Sequence, residues 1–141
     1  MSWSIKPRVV LDANVFVSGI VWQGNPGRVL QGWLKDNFRL FISPSTLLEI
    51  LTVLARFEIP PKIIQGFKPL IENQASKVIP KTKFKICRDP KDNQYLNLVY
   101  ACQADYLVTG DKDLLILEEF EGTKILTPKQ FLTRLKKRDR K

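Results

Sequence analysis

Histidine is absent from the 141 residues of this chain, and cysteine occurs only twice. Histidine is the commonest general base, and a serine or cysteine nucleophile usually needs one beside it, so neither arrangement can be built here. Zinc sites draw on paired cysteines and histidines, whereas Cys87 and Cys102 are far apart in sequence. Long apolar runs are also missing, since the longest is under about ten residues and a membrane span needs about 20.

Length and composition predict one soluble domain. With 44% hydrophobic residues, 141 residues can form one core but hardly two. We expect a single domain at 1–133 followed by a basic tail at 134–141. The first ten residues, MSWSIKPRVV, lack the apolar centre of a signal peptide, and two distant cysteines are most simply reduced thiols. The sequence therefore predicts a cytoplasmic protein without a membrane partner.

The charge is strongly positive, with 23 Lys and Arg against 14 Asp and Glu and a formal net charge of +9. A polyanion is the natural partner of such a surface. The excess lies mainly in segment 77–91 and in the tail, although each can also be an ordinary solvated surface. The residues predicted to bind nucleic acid are Lys83, Lys85, Arg88, Lys91, Lys136, Lys137 and Arg138.

Apolar runs and helical patterns alternate along the chain. This alternation favours an α/β fold with three layers, in which helices cover both faces of a central, mostly parallel sheet. The predicted strands are 8–12, 39–43, 83–87, 105–111 and the KILT segment at 124–127. The predicted helices are 25–37, a helix capped by Ser45, two short helices within 59–80, a helix from Asp89 with Leu96, Val99, Tyr100 and Ala101 facing inward, and a terminal helix.

Four acids stand beside apolar segments of this pattern: Asp12, Glu49, Asp92 and Asp111. Two of them end predicted strands, and two lie in early turns of helices that follow strands. Ligands of open parallel sheets bind beyond the carboxyl ends of the strands, so all four are expected at one edge. Each acid alone also has an ordinary explanation as a helix cap, a dipole partner or a turn residue.

Gathered carboxylates require a cation. Two of them 4 Å apart repel by roughly 4 kcal/mol at an effective dielectric constant of 20. Such a cluster stays ionised at neutral pH only if a cation occupies it, and oxygen ligands favour Mg²⁺ or Mn²⁺. A divalent metal can activate water and stabilise a leaving oxygen, which predicts hydrolysis of a phosphodiester.

Three segments carry a resemblance to a known family: VVLDANVFVSG, STLLEILTVL and DPKDNQYLNLVYACQADYLVTGDKDLL. The chain resembles PIN-domain ribonucleases, close to the branch described as toxins of toxin–antitoxin systems. The resemblance covers residues 8 to about 128. It implies a PIN-like α/β/α fold, a metal-dependent endoribonuclease that uses Mg²⁺ or Mn²⁺, an RNA substrate, a homodimer and, for a toxin, an antitoxin protein as partner.

The resemblance also assigns roles to residues. The implied catalytic acids are Asp12, Glu49, Asp92 and Asp111; the implied metal ligands are Asp12, Asp92, Asp111 and Asp113; the implied supporting residues are Asn14 and Thr109. Two alternatives stay open. Asp89 competes with Asp92 for the third position, and Asp113 either competes with Asp111 or supplements it.

Two rival functions belong to other classes. A noncatalytic RNA-binding or adaptor domain can keep the same fold without cleaving. A phosphoacceptor receiver domain also has acids at strand ends, but it needs an acidic pair after the first strand, where this chain has Asp12-Ala13-Asn14. Among the aromatic residues, Trp22 is the best candidate for contact with RNA or protein.

Overall fold

The computed structural model describes residues 6–139, the last two as backbone only. Its strands are β1 (Arg8–Leu11), β2 (Arg39–Ile42), β3 (Ala75–Lys77), β4 (Tyr106–Val108), β5 (Glu119–Phe120) and β6 (Thr123–Leu126). They form one sheet in the order β3-β2-β1-β4-β6-β5. Every neighbouring pair is parallel except β5 with β6. The expected mostly parallel sheet is confirmed.

Seven α-helices are present among the described residues: α1 (Ala13–Val21), α2 (Gly24–Leu34), α3 (Pro44–Arg56), α4 (Pro61–Gln74), α5 (Asn93–Cys102), α6 (Lys112–Leu115) and α7 (Pro128–Asp139). None of these helices is long and apolar enough to cross a membrane. A 3-10 turn at Pro90–Asp92 leads into α5.

The alternating side chains of the strands separate two cores. Val9 and Leu11 of β1 face one core, and Val10 between them faces the other. Helices α5 and α6 cover the Val10 side, and the other five helices cover the opposite side. The three-layer α/β/α architecture is therefore confirmed, and residues that follow β1 and β4 emerge at the same edge of the sheet.

The start of α3 differs from the prediction. Its N-cap is Ser43, whose hydroxyl accepts from the Thr46 N–H at 3.1 Å, while the Thr46 hydroxyl accepts from the Ser43 N–H at 2.9 Å. The prediction of Ser45 as the cap was wrong, because Pro44 already occupies the first helical position, where proline's missing N–H is not needed. Glu49 consequently lies in the second turn of the helix.

The prediction of two short helices within residues 59–80 was also wrong. One continuous helix, α4, replaces the predicted pair and passes through Pro69. Ile71 is buried and Phe67 packs against the same core on either side of that proline. Apolar packing on both sides therefore holds the helix together despite the hydrogen bond that proline removes. After α4 the chain forms β3, which pairs with β2.

Residues 83–87 do not form the predicted strand. The backbone N–H of Phe84 donates to Asn97 Oδ1, and the N–H groups of Ile86 and Cys87 donate to Asn93 Oδ1, at 2.7–3.0 Å. Side chains of α5 thus replace a neighbouring strand as partners of this segment.

The prediction of which α5 residues face the core was partly wrong. Leu96 and Val99 are buried, but Tyr100 is 46% exposed and Ala101 is exposed as well. The buried face of the helix is completed by Cys102, and Tyr100 instead lays its ring edge against Phe84 at the surface.

Candidate metal centre

Three carboxylates meet at the carboxyl edge of the sheet. Asp92, Asp111 and Asp113 each offer an oxygen, and these oxygens all lie within 4.8 Å of one another. Asp92 ends the 3-10 turn before α5. Asp111 follows β4 and caps α6, with its Oδ1 accepting from the Asp113 N–H at 2.8 Å. We call these three residues the acid trio.

Asp92 is the most constrained member of the acid trio. Its side chain is buried, at 6% exposure, and its Oδ2 has no hydrogen-bond partner among the described residues. Burial, and then the proximity of Asp111, raises the pKa of Asp92 to about 7. A buried carboxylate without a partner is destabilising unless a proton or a cation neutralises it. The geometry therefore fits a cation beside Asp92.

Asp12 lies next to the acid trio, fixed from two sides. Its Oδ1 accepts from the Asn14 N–H at 3.0 Å and caps α1, and its Oδ2 accepts from the Thr109 hydroxyl at 2.6 Å. Burial raises the pKa of Asp12, although these two hydrogen bonds oppose the change. In the described part of the chain the close carboxylate trio does not include Asp12, which interacts electrostatically with Asp111.

Thr109 joins the two halves of the site. Its hydroxyl donates to Asp12 and accepts from the Asp111 N–H at 3.0 Å. The side chain is fully buried. The Thr109 hydroxyl thus fixes the position of the Asp12 carboxylate after β1 and of the Asp111 backbone after β4.

Thr109→Val tests this link, because valine has the same shape without the hydroxyl. It leaves Asp12 Oδ2 and the Asp111 N–H short of a partner, and we expect about 1–3 kcal/mol lower stability in urea unfolding. Thr109→Ser keeps the hydroxyl and should lose only about 0.8 kcal/mol for the missing methyl group. Equal stability of Thr109→Val and the wild type would show that this bond does not hold the site.

The structure places the residues of the two open alternatives differently. Asp89 accepts from the Lys91 N–H at 3.0 Å and caps the 3-10 turn, whereas Asp92 joins the acid trio. Asp113 joins it together with Asp111 rather than in competition. Asp113 also pairs with Arg88, whose guanidinium donates to both carboxylate oxygens at 3.0 and 3.2 Å. The Arg88 guanidinium therefore balances part of the negative charge of the acid trio.

Glu49 stands apart from the acid trio on α3. It is half-buried, and its charge contributes to raising the pKa of Asp12 and of Tyr95. The Tyr95 hydroxyl accepts from the Ala13 N–H at 3.0 Å and is buried near Asp12, Glu49 and Asp92. Tyr95 was not among the predicted site residues, although it is three residues after Asp92 and therefore near the same face of the helix.

The predicted supporting and binding residues fall into separate regions. Asn14 contributes its backbone N–H, while its side chain is exposed. Among the cations, those of segment 83–91 precede Asp92 directly: Lys83, Lys85, Arg88 and Lys91.

The cations of α7 lie elsewhere. Phe131 packs on Phe38, which immediately precedes β2, and Leu135 lies beside the same ring. The exposed Lys136 and Lys137 therefore lie toward the amino edge of the sheet, opposite the acid trio. The side chain of Arg138 lies outside the described residues.

Trp22 lies at the C-terminal end of α1, the end away from Asp12. It is 71% exposed at the end of α1 and packs edge-on against Phe57, with ring centroids 6.5 Å apart. This pair forms an exposed aromatic contact on the surface that α1 and α3 share.

The donor set suits a hard divalent cation. Mg²⁺ and Mn²⁺ bind carboxylate oxygens and retain waters, and Mg²⁺ needs only one or two protein carboxylates. The acid trio supplies oxygen ligands only, and the partnerless Asp92 oxygen is available to such an ion. The residues therefore fit Mg²⁺ or Mn²⁺ and do not fit a zinc site of cysteine and histidine.

Comparisons with known proteins agree with the fold. The family described as PIN domain matches residues 8–113. The chain is 32% identical to the protein MJ1680 of Methanocaldococcus jannaschii over 94% of each chain. The crystal structure of PAE2754 from Pyrobaculum aerophilum has the same fold, with a TM-score of 0.60 and 15% identity over 97% of this chain and 96% of that one.

Proposed function

The chain belongs to the PIN domain family, and from this premise we propose that it is a divalent-metal-dependent endoribonuclease that hydrolyses RNA phosphodiester bonds. PIN domains are generally metal-dependent nucleases. The observation that carries the proposal is the acid trio, in which the buried Asp92 carboxylate has an oxygen without a partner. That oxygen is suited to a cation.

Asp92, Asp111 and Asp113 are the side chains that would hold Mg²⁺ or Mn²⁺. When bound there, such an ion lowers the pKa of water and neutralises charge on the departing oxygen. Asp12 and Thr109 orient the loop after β4 through the hydroxyl link. The charge of the half-buried Glu49 acts on Asp12 and helps to raise its pKa. We keep Asp12, Glu49, Asp92 and Asp111 as the proposed catalytic acids, with Asp12 acting through the position of Asp111 and with Asp113 as a further metal ligand.

The basic segment 83–91 supplies the proposed contact with RNA. Its exposed cations lead directly to Asp92, and Lys and Arg bind phosphates without regard to sequence. Lys136 and Lys137, at the opposite edge, are proposed only for contacts with more distant parts of an RNA. The toxin role, an antitoxin partner, a homodimer and a cytoplasmic location stay predictions.

Incubation of the purified protein with labelled RNA tests the proposal. We expect cleavage in Mg²⁺ or Mn²⁺ and none in EDTA, because the acids alone provide no activated nucleophile. Cleavage that continues in EDTA would contradict a metal-dependent mechanism. RNA binding without cleavage in either metal would favour the noncatalytic RNA-binding or adaptor domain instead.

A further inference from the structure

A groove of about 600 Å³ lies beside the acid trio. Its lining includes Pro90 and Lys91, which precede Asp92, and Asn93 and Gln94, which follow it. Its other wall is segment 83–87, with Ser45 of α3 at one end. Ligand pockets typically measure about 300–1,000 Å³, so one nucleotide unit fits this volume. We call it the α5 groove.

The basic rim of the α5 groove is held in a fixed place. Asn93 and Asn97, one turn apart on α5, accept three hydrogen bonds from backbone N–H groups of segment 83–87. The bound segment carries Lys83 and Lys85, which line the groove together with Lys91. Three ammonium groups around a polar floor are suited to phosphates of a chain that continues to Asp92.

One end of the α5 groove presents a polar pair. The Ser45 hydroxyl donates to Gln94 Oε1 at 2.7 Å, and Gln94 Nε2 donates to the Lys91 carbonyl at 3.0 Å. A primary amide has two donors and a carbonyl oxygen with two lone pairs, so one hydrogen and one lone pair of Gln94 remain for another partner. This combination of donor and acceptor matches the edge of a nucleobase.

We propose that the α5 groove binds the nucleotide adjacent to the scissile phosphate of a single-stranded RNA, with Lys83, Lys85 and Lys91 on its phosphates and the Ser45–Gln94 pair selecting its base. The proposal rests on the ribonuclease function proposed above. A single strand is required because base edges in an RNA duplex are poorly accessible to side chains. Gln94 is thereby a specificity residue.

The first experiment measures binding in EDTA, which excludes cleavage. Fluorescence anisotropy of a labelled eight-nucleotide RNA gives affinity as a function of salt. For single strands the log–log slope changes by about 0.7 per lost phosphate contact, so Lys83→Gln/Lys85→Gln should flatten it by about 1.4. The matched control Lys62→Gln/Lys68→Gln removes the same charge from exposed positions of α4 on the opposite face. Equal slopes for the two double variants would overturn the phosphate contacts.

The second experiment measures base selection. A pool of RNAs with random sequence is cut in Mn²⁺, and the bases flanking each cut are sequenced for the wild type, Gln94→Ala, Ser45→Ala and the control Gln65→Ala. We expect a wild-type preference at one flanking position that Gln94→Ala weakens on the order of tenfold, since a good base contact discriminates by about 1–3 kcal/mol. Ser45→Ala should weaken the preference less, and the control should keep it.

The outcomes separate the two proposals. A uniform loss of rate with unchanged base preference in Gln94→Ala would mean that Gln94 only supports the turn at Asp92, and the specificity role would be overturned. If the wild type does not cleave, the ribonuclease proposal fails by itself. The affinity of the protein for four RNA homopolymers in EDTA then tests whether the α5 groove selects a base. A base preference that is lost in Gln94→Ala supports this role, and the absence of any preference overturns it.

Discussion

Asp92→Asn should lower the rate of RNA cleavage by at least about a hundredfold, with comparable losses in Asp12→Asn and Asp111→Asn, because groups that act as one unit fail together. Asparagine preserves size but removes the negative charge that a divalent cation needs. Asp92 is buried with an oxygen that has no partner, so no solvent-exposed acid can replace it there. Initial rates on a labelled RNA in saturating Mn²⁺ give the measurement.

Asp105→Asn is the matched control for this series. Asp105 is exposed at the amino end of β4, where its Oδ2 accepts from the Arg8 N–H at 2.8 Å, and asparagine retains an oxygen for that bond. We expect its rate to stay within about twofold of the wild type, as for surface substitutions away from special features. Cleavage by Asp92→Asn at the wild-type rate would indicate a contaminating nuclease or a different site.

The second large effect concerns stability. In EDTA at pH 8, Asp92→Asn should be more stable than the wild type by a few kcal/mol at most, since a shift of one pKa unit corresponds to about 1.4 kcal/mol. The pKa of Asp92 is raised to about 7 in the folded protein by burial and by Asp111. Above that pH the folded wild type carries a buried, uncompensated charge, which the amide lacks.

The pH dependence of this difference has a definite sign. Between the ordinary pKa of an aspartate, about 3.9, and about 7, the folded state holds a proton on Asp92 that the unfolded state has released. The wild type therefore loses stability as the pH rises through this window. The advantage of Asp92→Asn should be small near pH 4 and largest above pH 7, and urea unfolding at several pH values measures it.

Metal should oppose this advantage of Asp92→Asn. Binding to the folded state alone adds about 2.7 kcal/mol at a hundredfold excess over the dissociation constant, and Asp92→Asn should lose most of this gain. Glu72→Gln, on the exposed surface of α4, controls for a general loss of negative charge. A wild type that does not respond to millimolar Mn²⁺ would mean that the acid trio is not a preassembled metal site.

The fold could be predicted from the sequence because its signals are local. The apolar run at Arg8–Leu11 and the one at Tyr106–Val108 both end in polar turns, and a parallel sheet places such turns at one edge. Strands buried on both faces have this continuous apolar pattern whatever the rest of the chain does. The sequence therefore predicts that Asp12 and Asp111 lie close together.

Contacts distant in sequence could not be predicted in this way. The Thr109 hydroxyl reaches Asp12 across 97 residues, and the choice between Asp89 and Asp92 depends on the 3-10 turn that buries only the second. Periodicity does not encode the path of a turn. It also predicts Glu49 at this edge without showing that α3 holds it outside the acid trio.

Segment 83–87 shows a second limit of prediction from the sequence pattern. Its alternating pattern resembles a strand, yet the amide side chains of Asn93 and Asn97 satisfy its backbone N–H groups. A side chain that replaces a neighbouring strand leaves no mark in the local sequence, since the segment needs a partner in both cases. The α5 groove exists because of this replacement.

Anomalous diffraction from crystals grown in Mn²⁺ is the most direct test of the central claim that the acid trio holds a divalent cation. We expect one strong peak within about 2.5 Å of carboxylate oxygens of Asp92 and Asp111, with Asp113 bound directly or through water. Because Asp92 Oδ2 has no other partner, it should be among the ligands. A peak elsewhere on the protein, or none at these residues in millimolar Mn²⁺, would contradict the proposed metal centre.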